Sequence, residues 1–228
     1  MITVRCGAGQ GYAATADLSE AGLRAAIARA QVWAARMAGA AVFDVRDMVA
    51  PEPVGEWRTP VRRPWDSLSL VDRIALLREA ARGLPQDDRI VDWELMIGRS
   101  HIETRLLTSG GGDAVQVTDF VSPDAFVVVH SDGRTQIRSL GLRGATRQGG
   151  LEVLDETGFR EMAGGLAGEA LALVDAPDCP TGTMDVLLAP DQMMLQIHES
   201  IGHPIELDRI LGDERNYAGT SFVTLDMF

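Results

Sequence analysis

Between Val91 and Leu142 the chain leaves helical spacing for a period of two, and that change constrains the architecture more than any other feature. Five short runs, Val91–Ile97, His101–Thr108, Ala114–Val121, Ala125–His130 and Thr135–Leu142, alternate or are β-branched. Gly98-Arg99, Gly110-Gly111-Gly112, Ser122-Pro123-Asp124 and Ser131-Asp132-Gly133 separate them and read as turns. Together they predict an antiparallel meander with one face beneath the first two helices and the other free to cover something else.

Helices bracket this stretch. Asp17 and Glu20 read as a capping box for a helix over Leu18–Ala38, with Leu23, Ile27, Ala30 and Ala34 on one face and Gly39 at its end. Ser69 with Asp72 caps Leu70–Arg82, which Gly83 and Pro85 close. A third, Ala- and Gly-rich helix runs from about Gly158 to Val174, a strand covers Met184–Ala189, and a further helix opens with Asp191 as its N-cap. The first sixteen residues read as a hairpin turning around Gly7, Gly9 and Gly11, with partner strands missing, and the four prolines from Pro51 to Pro64 predict an extended loop. The expected class is α+β in two layers. Residues 1–185 form the expected first domain and 186–228 the start of a second, with the boundary near Pro180 to Pro190.

A net charge of -12 without a Lys/Arg stripe argues against a nucleic-acid partner, because that binding needs clustered cations to displace counterions. No apolar run is long enough to predict a membrane span, and the first twenty residues lack a secretory signal, so a cytoplasmic location is expected. Cys6 and Cys179 are too few for a disulfide framework and lack the pairing of a structural zinc site. The glycine clusters at 7–11 and 110–112 lack the phosphate-loop pattern and read as hairpin turns, and His101 and His130 read as sheet-surface residues.

Chemistry concentrates in the segment DQMMLQIHESIGHPIELDR. Met194, Ile197 and Ile201 recur at i, i+3 and i+7 and predict a core-facing stripe, while His198, Glu199 and His203 occupy the other faces. A hydrolytic zinc needs neutral imidazoles and a nearby carboxylate to take a proton from water, which this cluster offers. The two histidines are five apart, however, and at about 100° per residue an ideal α-helix would set them roughly 140° apart. Gly202, Pro204 or a π-type widening of the helix is therefore required to bring them to one ion. Glu206 and Asp208 follow at spacings suited to accepting an imidazole's second N–H. The same residues are also compatible with a capping or core His198, a solvated Glu199, and surface acids beside Arg209.

The run from His198 to Arg209 resembles the H-E-x-x-G-H-x-x-E-x-D signature of the TldD/PmbA metallopeptidases, in particular the metal-bearing TldD-like subunit. VRCGAGQGYAATADLSEAGLRAAIARA is similar to that family's strand, Gly turn, strand and capped helix, and CPTGTMDVLLAPDQMMLQIHE to its approach to the active-site helix. The resemblance implies a zinc-dependent peptidase acting on unfolded or flexible polypeptides, with His198 and His203 as ligands and Glu199 as general base. It implies a PmbA/TldE-like partner or a homodimer. It also implies a third ligand, a cysteine from a distant C-terminal segment, with no counterpart here: family members are roughly twice as long, and the chain is expected to be incomplete at both ends. A non-catalytic peptide-binding or scaffold subunit of such a complex is the alternative expectation.

Overall fold

The structure is a computed structural model that describes residues 1–42, 44–141, 144–214 and 219–227, without the side chain of Asp191. Its contacts divide the chain into two units, Met1–Ala50 with Gly182–Phe228, and Pro51–Thr181. The division after Thr181 falls beside the expected boundary at 185/186. The division after Ala50 falls where the prolines begin, so residues 1–50 group with the C-terminal segment and not with the large sheet.

In the first unit β1 (Ile2–Cys6) and β2 (Gly9–Ala13) form the hairpin, turning at Gly7 with φ +58°. Helix α1 (Glu20–Met37) packs on it, and the residues it buries are Ala26, Ala30 and Ala34. Leu23 and Ile27, expected on the core face, are partly exposed. The reason is the close approach: a Cβ on Gly9 or Gly11 would fall against the backbone of Ala34, so only the alanine face of α1 can meet this hairpin. The helix is capped two residues later than expected, at Ser19 and not at Asp17. Ser19 Oγ accepts the Gly22 N–H at 3.2 Å, and Asp17 accepts the N–H of Ser19 at 2.9 Å.

The second unit is α+β, with helices laid on one face of a mixed sheet. The five expected strands are three. Strand β4 (Ile90–Leu107) runs through Gly98-Arg99, and β5 (Asp113–Ser131) runs through Ser122-Pro123-Asp124. These supposed turns lie opposite each other in the ladder, Gly98 against Ser122 and Met96 against Asp124. Pro123 is tolerated because odd positions of β5 turn their backbone groups away from β4: Val117 C=O accepts from Thr59, and Ala125 C=O from Leu140. Its missing N–H therefore costs no β4 bond.

The second edge of β5 is occupied in succession. Strand β3 (Val54–Arg58) pairs with it in parallel from Asp113 to Val117, correcting both the expected Pro-rich loop and the purely antiparallel sheet. Strand β6 (Arg134–Ser139) pairs antiparallel with Phe126–Ser131, and β7 (Arg147–Gln148) with Phe120–Val121. Leu142, expected to end the fifth strand, lies outside the described residues.

Helix α2 (Leu70–Ala81) carries the expected Ser69–Asp72 capping box; the short α3 (Glu152–Glu156) and then α4 (Phe159–Asp175) follow the sheet. Val121, Ala125, Val127 and Val129 alternate onto the buried face of β5. Leu76 and Ala80 of α2, Val153 and Leu154 of α3, and Phe159, Leu166, Ala167 and Ala170 of α4 cover them. The covering helices are thus α2 and α4, not the expected first pair, because α1 is committed to the hairpin. Residues 183–189 form no strand, and Leu187 is wholly exposed. Among the described residues no helix is long and apolar enough to cross a membrane.

Candidate metal centre

Helix α5 (Pro190–Ile197) begins with Ala189 at the N-cap and Pro190 at the first helical position, where a missing N–H costs nothing. The cap is therefore not Asp191, whose side chain lies outside the described residues. From His198 to Gly202 the helix widens into a π turn, and the N–H of His203 donates to the C=O of His198. This is the distortion that the five-residue spacing demands, since an i to i+5 bond puts those two residues on one face.

Pro204 supplies a physical cause. It has no N–H to give the carbonyl four residues back, and its ring would collide with that carbonyl in a regular α-helix. Gly202 is not the cause. Its φ of -58° and ψ of -55° are open to any residue, and a Cβ there would meet Ile197 O at an ordinary 3.7 Å. After a single 3-10 turn, His203–Ile205, the chain straightens at Glu206 and re-enters a short helix α6 (Leu207–Leu211), closed by Gly212 with φ +77°.

The π turn brings the His198 and His203 rings edge to face, with centroids 4.4 Å apart. Glu199 lies between them: Oε1 is 3.8 Å from His198 Nε2, and Oε2 is 3.8 Å from His203 Nε2. One ligand atom from each of the three residues falls within 4.8 Å of the others. The donor set suits a divalent cation, for both imidazoles turn Nε2 inward while the other nitrogen of His203 is already engaged. Glu206 Oε1 sits 2.9 Å from His203 Nδ1. His203, with Arg209 adding to it, holds the Glu206 carboxyl below its ordinary range.

Arg209 Nε in turn lies 2.6 Å from Glu206 Oε2, an ion-pair contact without hydrogen-bond geometry, and that nitrogen is buried. Asp208 is placed otherwise: its Oδ1 accepts the backbone N–H of Arg209 at 2.9 Å. Thus the structure gathers His198, Glu199, His203 and Glu206, and turns Asp208 to the start of α6. Cys6 and Cys179 are exposed free thiols.

An open cleft of about 560 Å³ adjoins this group, lined by Glu199, His203, Pro204, Arg209, Thr220, Ser221 and Phe222. Ser221 straps the later segment across the turn. Its Oγ donates to Pro204 C=O at 2.6 Å and accepts the Val223 N–H at 2.9 Å, and its own N–H reaches Arg209 C=O at 3.2 Å. Sequence reading missed this strap because Ser221 and Phe222 lie in no periodic pattern. It also treated Arg209 only as a neighbour of acids, although the i, i+3 spacing from Glu206 was visible.

The stripe expected to be core is uncovered: Met194, Ile197 and Ile201 are 70%, 49% and 54% exposed. Outside the centre, His101 shares Asp119 Oδ1 with Arg99, and His130 meets Thr135 Oγ1; both histidines sit on strands. No family model and no curated protein matches the chain.

Proposed function

We propose that the chain is the metal-bearing part of a TldD-like, zinc-dependent peptidase that hydrolyses peptide bonds in unfolded or flexible polypeptides. The observation that carries this reading is the π turn, which brings His198 and His203 together with Glu199 between them despite a spacing that a regular helix would scatter. An open cleft lined by Glu199 and His203 supports access for an extended chain. Two exposed, unpaired cysteines fit the reducing cytoplasm to which we assign it. A PmbA/TldE-like subunit or a second copy is the proposed partner.

His198 and His203 would hold a zinc ion, which when bound would supply a Lewis acid to polarise a peptide carbonyl and lower the pKa of water. The chain's own groups do the rest. Glu199 takes a proton from the water as its oxygen bonds to the carbonyl carbon. It then delivers that proton to the peptide nitrogen as the C–N bond breaks, so a carboxyl and an amine leave. Glu206 accepts the Nδ1–H of His203 and so keeps Nε2 unprotonated and aimed inward.

The test is metal analysis of the purified chain joined to hydrolysis of a denatured protein substrate with added zinc. Glu199→Gln is expected to abolish cleavage and leave the metal content nearly unchanged. Cleavage retained by Glu199→Gln overturns the role of Glu199. The two-imidazole donor set favours one second reading, a non-catalytic peptide-binding subunit, because a catalytic zinc ordinarily keeps three protein ligands. Absence of stoichiometric zinc from the purified chain selects that reading.

A further inference from the structure

We propose that Arg209 makes the cleft beside Glu199 and His203 a recognition site for a carboxylate on the bound polypeptide. The inference rests on the peptidase reading for what occupies the cleft, but not for how the occupant is held.

Among the described residues Arg209 is the one cationic side chain, apart from the imidazole of His203, that lines this cleft, and it is 87% buried: its side chain keeps 13% of its exposure. A guanidinium offers five N–H donors in a rigid planar fork. The Nε edge is set against Glu206 Oε2 at 2.6 Å. The described residues record no acceptor for either Nη, although the side chain borders open space. A mostly buried guanidinium that borders an open cleft with its Nη donors unpaired among the described residues can take a ligand that completes it.

The fork matches a carboxylate, which it binds through two parallel N–H···O contacts, better than a single carbonyl. The Glu206 ion pair at Nε and the burial of the side chain restrain the fork, so less freedom is lost on binding. The rim adds an apolar surface, since the Phe222 ring is largely exposed beside it. A chain terminus or an acidic side chain flanked by apolar residues has the right complement. Glu199, on the same cleft, repels a carboxylate from the reacting position and so favours its seat at Arg209.

The probes are three labelled peptides of one apolar sequence: a free C-terminal carboxylate, the C-terminal amide, and the amide with one internal Asp. Binding to the full chain with zinc is read by fluorescence anisotropy, and hydrolysis and zinc content are read in parallel. One carboxylate-bearing peptide is expected to bind about tenfold or more tighter than the neutral amide. Whichever arm shows the gain identifies the source as terminus or side chain. Arg209→Gln is expected to erase the difference, whereas Arg209→Lys, which keeps the charge and loses the fork, retains part of it. A purely structural Arg209 would lower the affinity of all three peptides together.

Equal affinity of the wild-type chain for all three peptides overturns the proposal, as does a carboxylate preference that survives Arg209→Gln. A preference without zinc or hydrolysis keeps the recognition site and removes the peptidase reading instead. Zinc and hydrolysis without any preference do the reverse.

Discussion

Glu206 Oε1 meets His203 Nδ1 at 2.9 Å across a single 3-10 turn, so the carboxylate that follows the second histidine fixes which of its nitrogens faces the centre. Removing that acceptor leaves the ring free to rotate and to exchange tautomers. Glu206→Ala is expected to weaken zinc binding about 10- to 100-fold. Competition against a chromogenic chelator measures it, and an unchanged affinity removes Glu206 from the centre. Asp208→Asn, placed on the Arg209 N–H, is expected to change that affinity far less.

The π turn makes a sharper distinction between two neighbours. Pro204 forbids the regular ladder, whereas Gly202 has ordinary helical angles and room for a Cβ. Pro204→Ala restores the N–H that lets the helix tighten and separate the imidazoles. It is expected to lower zinc affinity on the order of tenfold. Gly202→Ala is expected to leave zinc affinity unchanged. The reverse ranking, read by the same chelator assay, would place the cause of the distortion at the glycine.

What was legible in the sequence follows from where the signals are local. The capping box at Ser69–Asp72 and the hairpin turn at Gly7 depend on residues within a few positions, and both are where the pattern puts them. The widening between His198 and His203 could be inferred because two histidines five apart meet on one face in few helical geometries. Long-range partners were not legible. Pro123 reads as a turn until the strand beside it is known, and β3 reads as loop because its hydrogen bonds come from β5, almost sixty residues on. The strap at Ser221 is long-range in the same way. Its bond to Pro204 spans a gap that no periodicity encodes.

One such long-range contact can be tested through pH. Burial pushes the Glu152 carboxyl up, but the backbone N–H groups of Gly150, Arg62 and Arg63 outweigh it and hold the group at about 2, well under its ordinary 4.5. A depressed folded-state value contributes stability that is present above 4.5 and is lost as pH falls toward 2. Glu152→Gln is expected to destabilise the Pro51–Thr181 unit by about 2 kcal/mol at pH 7, a figure already reduced for solvent screening. Urea midpoints of the two proteins should converge between pH 4.5 and 2. A gap that stays constant over that range means that the carboxylate's charge is not what ties the Arg62–Arg63 segment to α3.

The hairpin tests packing in the other unit. Gly9 and Gly11 let β2 lie against Ala30 and Ala34 of α1, and a side chain at either would strike helix backbone, which has no rotamer to move aside. Relief requires the helix to lift from the hairpin and uncover Ala26, Ala30 and Ala34 together. Gly11→Val is therefore expected to cost about 3 kcal/mol. Gly39→Ala, where a Cβ meets nothing, is expected to cost almost none. Amide exchange reads the two variants locally. Loss of protection across β1, β2 and α1 in Gly11→Val, with the large sheet unaffected, is the expected outcome. Equal protection in both variants would mean that the hairpin and α1 do not depend on that close approach.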